Sequence, residues 1–478
     1  MFQPDEPCVA CAAGTHAPRG GGAAADYSTW IACSHCGAWF HCRCLAMPDP
    51  AEFAEWHCGA CEARGYVLAR RAPRRRSARA KPRTDYAAVD DGRPSAPLER
   101  WAAYMRASAA LPDGARRVSG DTWTREWLLE ADALAAPSMV GADEKARIAG
   151  LRVPPRDTSI DDICTLLGRH TPVEVIDVAT QMSFTWTLGD WAAYFATPPA
   201  ARERVLNIIS LEVSGTALEP LVAPPAMVSE SDWVERDWPA TRRPRADDAS
   251  LWPKVQRYVL MGVQGAFTDF HIDFAATMVF YSVVWGHKVF LFAPPTPRNL
   301  AAYRAWTSSA RQASEWLGDA LDGLTRVEIG TDETLFIPPG WIHAVHTTAD
   351  SLVVGGNFLG DCGVPMHFRI EELEIATRVP RKFRFPHLVR LAWYVAAGWK
   401  ARLSSADATL PARLADGLDA LCRRLSTEVE RLASDAAQPR AAKAQRLAHD
   451  AVPWDAVDDP AALVAALRAL LRKRKREG

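Results

Sequence analysis

The chain has 478 residues, a net charge of -1 at neutral pH, and 48% hydrophobic residues. This length predicts about three domains, and the hydrophobic fraction is sufficient for a large buried core. A net charge near zero excludes general attraction to nucleic acid, so any such affinity must come from local clusters. No apolar run reaches the roughly 18 residues of a membrane span, and the acidic start MFQPDEPC is unlike a secretory signal. We therefore expect an intracellular protein that does not contact a membrane.

Four pairs of metal-binding residues occupy the first predicted domain, residues 1–63. Eight of the eleven cysteines lie between Cys8 and Cys61, and in a reducing compartment such crowding favours metal binding over disulfides. Two tetrahedral zinc ions need eight ligands, and the spacing provides Cys8, Cys11, Cys33, Cys36, His41, Cys44, Cys58 and Cys61. This order, four cysteines, one histidine and three cysteines, is that of a PHD finger with two structural Zn(II) ions.

PHD fingers often bind histone tails, using aromatic rings that attract a methylated ammonium group through cation–π interactions. Trp39 precedes the ligand His41 by two residues, where the family places a cage tryptophan, and Trp30 falls where another cage wall is common. An equally good explanation of Trp39 is a packing residue of the finger. A methyl-lysine cage of Trp30 and Trp39 is thus one of two hypotheses.

A basic stretch follows in residues 64–96. Between Arg64 and Arg83 there are nine Lys or Arg residues and no acidic residue, which predicts a disordered linker. Such a run can be a solvated tether, a nuclear localisation signal and an arm that binds DNA phosphates, and these roles are compatible. The end of the chain, RKRKREG, repeats the basic signal, so we expect a nuclear protein.

The segment 97–210 has mixed character and ends in the apolar run LNIISLEVS, which predicts a frame around a catalytic domain at 211–378. In that domain His271 and Asp273 lie two residues apart, so in a strand both side chains leave the same face. His343 follows the turn at 338–340 in a second apolar run. His-x-Asp alone is more often a pair of buried, hydrogen-bonded residues. Two histidines and a carboxylate together form the facial triad that suits Fe(II).

Lys288 lies in the next apolar run, KVFLF. A charged side chain among buried neighbours needs an anionic partner, and the distal carboxylate of 2-oxoglutarate is one candidate.

The motifs YVLMGVQGAFTDFHIDF, TMVFYSVVWGHKVFLFAPPT, ETLFIPPGWIHAV and GGNFL occur in this order over roughly residues 160–395. In this region the chain resembles the Jumonji C (JmjC) histone demethylases, and most closely the branch that joins a PHD finger to a JmjC domain. The resemblance implies a mainly β catalytic core, a double-stranded β-helix of the cupin or jelly-roll type, with helical flanks.

The same resemblance implies the site residues and the reaction. The metal ligands match His271, Asp273 and His343, and the co-substrate contacts match the residues Thr268, Tyr281, Lys288 and Asn207. For Asn207, a hydrogen bond to strand-edge backbone is an equally good explanation. The implied enzyme uses Fe(II), 2-oxoglutarate and dioxygen to demethylate mono- and dimethyl-lysine on a histone tail or nucleosome, with lysine 36 of histone H3 favoured. The alternatives are an inactive chromatin-binding scaffold and a JmjC protein hydroxylase.

Ala275 and Ala276 depart from the pattern of this branch, which usually has two glycines there. Two added methyl groups can narrow the methyl-lysine pocket and so alter the accepted methylation state.

The last segment, 379–478, has helical patterns and a basic tail. An apolar face with the spacing i, i+4, i+7, i+8 is formed by Leu463, Leu467, Leu470 and Leu471. This pattern favours a helix that packs against the catalytic unit over a helix that binds a partner.

Overall fold

The computed structural model describes residues 30–36, 38–45, 53–64, 69–70, 98–180, 182–243, 252–309, 312, 315–405, 410–434 and 439–477. The chain divides into two compact units, Met1–Pro82 and Arg83–Gly478. Within the ranges just given, no helix is both long enough and apolar enough to cross a membrane.

The first unit is built from very short elements. They are the strands β1 (Trp30–Ala32), β2 (Trp39–His41), β3 (Phe53–Glu55) and β4 (Ala69–Arg70), a 3₁₀ turn (Cys42–Leu45) and the helix α1 (Gly59–Glu62). Strands β1 and β2 pair antiparallel, as do β3 and β4. Strand β4 therefore lies inside the stretch predicted as linker, whereas residues 71–96 of that linker lie outside the described residues.

The second unit contains one large sheet. Its strands are β5 (Arg116–Arg117), β6 (Ser138–Val140), β7 (Pro172–Asp177), β8 (Ser183–Thr187), β9 (Leu206–Glu212), β10 (Tyr258–Gly262), β11 (Phe267–His271), β12 (Met278–Ala293), β13 (Thr325–Gly330), β14 (Thr334–Ile337) and β15 (Ile342–Phe358). The strand order is β5-β6-β14-β12-β15-β10-β9-β7-β8, with β11 paired to β15 and β13 paired to β12.

Helices surround this sheet and form the end of the chain. They are α2 (Leu98–Ala107), α3 (Arg125–Leu128), α4 (Ile160–Leu167), α5 (Leu188–Phe195), α6 (Ala226–Ser231), α7 (Trp233–Asp237), α8 (Pro297–Thr307), α9 (Val364–Ala376), α10 (Leu388–Ser404), α11 (Ala412–Ala433), α12 (Pro439–Ala451) and α13 (Pro460–Glu477).

Strands β12 and β15 are 16 and 17 residues long, and each bends so that its two halves belong to different layers. The first half of β12 pairs with β14 and the second half with β13, and the register with β15 shifts between Val283 and Lys288. Gly286 lies at this bend with φ +104°, and a Cβ there would lie 2.4 Å from the carbonyl oxygen of Asp350. Only glycine fits such a position. The sheet consequently folds over on itself as a double-stranded β-helix with helical flanks, which confirms the predicted fold class.

The long strands β12 and β15 are buried on both faces over most of their length. Along β12, Val279, Tyr281 and Val283 pack between the two layers with residues of β13 and β14. Met278 and Phe280 face the other side of the strand. They pack in a separate core together with Trp101 of α2 and Trp191 of α5. Flanking elements cover the outer face, so apolar residues occupy both faces over much of each strand and the period of two disappears.

The C-terminal helices have a second apolar core. Leu463, Leu467 and Leu471 of α13 are buried in it together with residues of α10 and α11, and Leu470 packs at its edge. The prediction of a packing helix is confirmed. The basic residues at the end belong to this same helix, where Arg474 donates a hydrogen bond to the carbonyl oxygen of Leu403 at 3.2 Å. The predicted tail is thus helical as far as Glu477.

We predict that Leu467→Ala lowers the free energy of unfolding by about 2–5 kcal/mol, because it removes a fully buried side chain and leaves a cavity. Leu470→Ala, on the same helix and only partly buried, should cost much less. Urea denaturation followed by circular dichroism checks both. Equal losses for the two variants would contradict the assigned packing face.

Candidate metal centre and cavity

Two histidines oppose each other across a pair of strands. His271 ends β11 and pairs with His343 in β15, and the centroids of their rings are 4.1 Å apart. The Nδ1 atom of His271 lies 2.8 Å from the carbonyl oxygen of Asp269, and Nδ1 of His343 lies 3.0 Å from that of Trp341. A carbonyl oxygen only accepts, so each Nδ1 carries the proton and each Nε2 keeps a lone pair for a metal.

The third candidate ligand, Asp273, does not lie on the strand as predicted. Strand β11 ends at His271, and its register with β15 shifts between Thr268 and His271, so simple alternation does not bring Asp273 to this face. Asp273 instead begins a 3₁₀ turn over Phe274–Ala276. Its Oδ2 still lies 3.7 Å from Nε2 of His343, and one donor atom from each of the three residues lies within 4.8 Å of the others.

Burial and the neighbouring His271 lower the pKa of His343 to about 4. The imidazole is therefore neutral at physiological pH and able to coordinate a cation without first losing a proton. Two imidazoles and one carboxyl group on one side of a cavity are a donor set that fits Fe(II).

A cavity of about 150 Å³ extends from these three residues between the two layers of the barrel. Lys288 lines it, is 3% exposed, and donates a hydrogen bond from Nζ to Thr347 Oγ1 at 2.7 Å. Burial lowers its pKa to about 7. Among the described residues no carboxylate forms an ion pair with Lys288, so the cavity contains a buried cationic group suited to an anionic ligand.

The other predicted co-substrate residues, Thr268, Tyr281 and Asn207, also line this cavity. Burial raises the pKa of Tyr281, so its hydroxyl group stays protonated and can donate. Asn207 is buried in β9, and among the described residues its Oδ1 has no hydrogen-bond partner. An amide satisfied by strand backbone would not leave this atom without a partner, so the geometry favours a ligand contact.

The finger places Cys33, Cys36, Cys58 and Cys61 together, with their sulfur atoms within 4.8 Å of one another. Burial raises the pKa of the Cys33 thiol, but hydrogen bonds from the backbone of Cys36, Cys58 and His35 outweigh this effect and lower it to about 5. A thiolate at neutral pH is the form that binds zinc.

Of the other four zinc candidates, His41 and Cys44 are described by the structure. His41 Nδ1 lies 3.7 Å from the sulfur of Cys44, whereas Cys8 and Cys11 lie outside the described residues. Trp39 is 43% exposed on β2, and Trp30 lies opposite His41 in the ladder, although its side chain is outside the described part. The methyl-lysine cage stays a prediction.

Comparisons with known proteins found several chains similar to this one. The "JmjC domain-containing histone demethylation protein 1" of Mycosarcoma maydis is 47% identical over 455 residues, covering 83% of this chain and 68% of that protein. The protein of the same name from Yarrowia lipolytica is 37% identical over 412 residues, covering 84% and 79%. The chain belongs to the JmjC domain-containing histone demethylation protein 1 family. "Lysine-specific demethylase 2A" of Xenopus tropicalis is 42% identical over 257 residues, 52% of this chain and 22% of that protein. No protein-family model matches the chain.

Ala275 and Ala276 do not line the cavity of this JmjC protein. Both are fully buried. Ala275 packs in the core of the C-terminal helices, and Ala276 packs in the core that contains Met278 and Phe280. Both have left-handed backbone, with φ of 48° and 49°, which costs an L-residue roughly 1–2 kcal/mol and explains why the branch usually has glycine here. The effect of their methyl groups on the methyl-lysine pocket stays a prediction.

Three polar residues that line the cavity were missed by the sequence analysis: Tyr258, Thr347 and Asn357. Thr347 had a signal, because it follows His343 and Val345 at intervals of two on the same strand face. Asn357 was part of the quoted GGNFL motif, but its hydrogen bond from Nδ2 to Thr277 Oγ1, 2.8 Å long, joins residues 80 positions apart. His287 and His346, near the site in sequence, do not line the cavity.

We predict that Cys33→Ser lowers the zinc content of the purified chain by one ion, because Cys33 is one of four converging thiols. Cys42→Ser is the matched control, since Cys42 is buried in the same finger but lies outside the four-thiol group. Elemental analysis by mass spectrometry measures both. Unchanged zinc in Cys33→Ser would contradict the assigned ligand group.

Proposed function

We propose that the chain is an Fe(II)- and 2-oxoglutarate-dependent dioxygenase that demethylates mono- and dimethyl-lysine of histone H3, with lysine 36 favoured. The observation that carries the proposal is one cavity with two features. The residues His271, Asp273 and His343 converge on one side. Lys288, which is buried and has no carboxylate partner among the described residues, lines the same space. The same cavity could therefore bind an iron ion and, next to it, an anionic ligand.

Fe(II) would be held by the Nε2 atoms of His271 and His343 and by the carboxylate of Asp273. Together with 2-oxoglutarate and dioxygen, the iron supplies oxidation of an N-methyl group: one oxygen atom enters the methyl carbon and the other enters succinate, with loss of carbon dioxide. The hydroxylated methyl group then leaves the lysine nitrogen as formaldehyde. The hydrogen bonds from both Nδ1 atoms to carbonyl oxygens fix the ring orientations before the metal arrives.

The co-substrate would be held at its distal carboxylate by Lys288, with the hydroxyl groups of Thr268 and Tyr281 as further donors. The contact of Lys288 with Thr347 fixes the ammonium group within the cavity. The Nδ2 group of Asn207 would donate to a carboxylate oxygen of the co-substrate, and its Oδ1 would accept from a water molecule beside it. Apolar lining residues such as Leu260, Ile337 and Val345 exclude bulk water and strengthen these polar interactions.

The substrate assignment rests on the relatives, whose names describe histone demethylases, and on the finger and basic linker of this chain. A two-zinc PHD finger would bind the histone tail, with Trp30 and Trp39 as cage candidates. The linker would bind DNA phosphates and direct the protein to the nucleus, because nine basic residues without an acid form a strong local charge. The partners in this proposal are thus the histone tail and the nucleosome.

Incubation with Fe(II), ascorbate, 2-oxoglutarate and a panel of methylated histone H3 and H4 peptides tests the reaction by peptide mass. We expect loss of one methylene mass per step from peptides methylated at lysine 36 of H3, with formaldehyde and succinate in equal amounts. His343→Ala should abolish turnover because it removes a ligand. His346→Ala is the matched control on the same strand, since His346 does not line the cavity and should retain activity.

The outcomes separate the alternatives. Gain of one oxygen without loss of carbon would assign a protein hydroxylase. An unchanged mass on all peptides and on nucleosomes would instead favour the inactive chromatin-binding scaffold. Demethylation of another lysine would keep the chemistry and change the substrate.

Binding of 2-oxoglutarate should weaken as the pH rises from 7 to 9. Because burial lowers the pKa of Lys288 to about 7, a growing fraction is neutral above this pH and must take up a proton to pair with a carboxylate. The affinity should fall by up to about tenfold per pH unit. Anaerobic calorimetry with Mn(II)-loaded protein measures this dependence. Lys288→Met should bind about 10–100-fold more weakly at pH 7 and show little pH dependence. A wild-type affinity that stays constant to pH 9 would rule out Lys288 as the source of the charge.

A further inference from the structure

Asp273 is held differently from the other two metal-binding candidates. His271 and His343 belong to paired strands whose backbone hydrogen bonds fix their positions. Asp273 lies beyond the end of β11 and begins the 3₁₀ turn Phe274–Ala276, in which Ala275 and Ala276 have left-handed backbone. A turn that contains two consecutive strained residues persists only where its surroundings stabilise it.

Two buried side chains of α9 contact the backbone of this turn. Glu374 Oε1 accepts a hydrogen bond from the Ala275 amide at 2.8 Å. His367 Nδ1 lies 3.1 Å from the carbonyl oxygen of Ala275 and 3.0 Å from that of Ala276. Both acceptors are carbonyls, so Nδ1 carries the proton. Nε2 faces the backbone of Gly360, 3.3 Å from its amide nitrogen, from which it can accept, and 3.2 Å from its carbonyl oxygen. One imidazole therefore links the turn to the segment that follows β15.

Neither side chain has a role in the cavity. His367 is fully buried, Glu374 is 6% exposed, and neither lines the space around Lys288. Their hydrogen bonds run to the backbone of Ala275 and Ala276, two and three residues after Asp273. The carbonyl oxygen of Asp273 in turn accepts a hydrogen bond from the Ala276 amide at 2.8 Å. The position of the Asp273 carboxylate is thus linked to His367 and Glu374 through a single turn of backbone.

We propose that His367 and Glu374 are positioning residues for the metal ligand Asp273, an inference that rests on the proposed iron site. They hold a strained turn in the one conformation that aims the carboxylate at the two imidazoles. Metal ligands tolerate displacements of only about half an ångström, so a relaxed turn should weaken the metal site before it unfolds the barrel.

Two pairs of matched variants test this proposal. His367→Asn keeps a donor near the position of Nδ1, whereas His367→Gln places its amide near Nε2 and loses the contact with the turn. Glu374→Gln keeps an acceptor for the Ala275 amide, whereas Glu374→Met has a similar shape and none. Glu372→Ala, an exposed carboxylate on the same helix, is the control for loss of charge from α9.

The measurement is Co(II) binding to the zinc-loaded full chain, by calorimetry and by the rise in unfolding temperature that Co(II) produces. We expect His367→Gln and Glu374→Met to bind Co(II) about 10–100-fold more weakly and to show a smaller rise. His367→Asn, Glu374→Gln and Glu372→Ala should stay close to wild type. A merely structural role would lower the unfolding temperature with and without Co(II) alike and leave the affinity unchanged.

Wild-type affinity in both His367→Gln and Glu374→Met overturns the positioning role. Failure of the proposed iron site gives a different result. In that case the wild-type chain and His343→Ala bind the same amount of Co(II).

Discussion

The antiparallel pairing of β11 with β15 is the constraint on which the metal centre depends. It places His271 directly opposite His343 and brings the two ring centroids to 4.1 Å from each other. Each ring is then oriented by a carbonyl oxygen two residues earlier in the chain, that of Asp269 within β11 and that of Trp341 just before β15. Because both strands are fixed by backbone hydrogen bonds, two of the three ligands are in place before any metal binds. The third has to come from the chain that leaves the sheet.

Lys288 imposes the complementary electrostatic constraint on the cavity. A cationic side chain that is 3% exposed loses most of its hydration, and Thr347 provides a neutral partner only. The lowered pKa of Lys288 is the consequence of this unfavourable environment. An anionic ligand would offset this loss of hydration, because it provides a charge partner for the ammonium group. Burial therefore destabilises the free ammonium group and at the same time favours binding of a carboxylate. The apolar lining strengthens this effect because it keeps the effective dielectric constant low.

Residue type and spacing indicated which candidate residues converge, but not the backbone that carries them. His271, Asp273, His343 and Lys288 were identified from residue type and spacing, and all four line one cavity. The strand assignment of Asp273 was wrong because a register shift depends on the partner strand, which local alternation does not reveal. Tyr258 and Asn357 were missed for a similar reason, since their positions depend on the folding over of the sheet. The direction in which the methyl groups of Ala275 and Ala276 point depends on their backbone angles, and these angles cannot be read from residue types.

The C-terminal helices contribute to the metal centre through α9. Glu371 of α9 accepts two hydrogen bonds from Arg424 of α11, at 2.7 and 2.8 Å, and both side chains are largely buried. The methyl group of Ala275 packs in the same core as Leu467 of α13 and residues of α9 and α11. The helices thus fix α9, α9 holds the turn, and the turn carries Asp273. A region without any candidate ligand is thereby connected to the metal centre by continuous packing, because a close-packed core transmits displacement between its members. The helical region is therefore part of the support of the proposed metal site as well as a covering for the barrel.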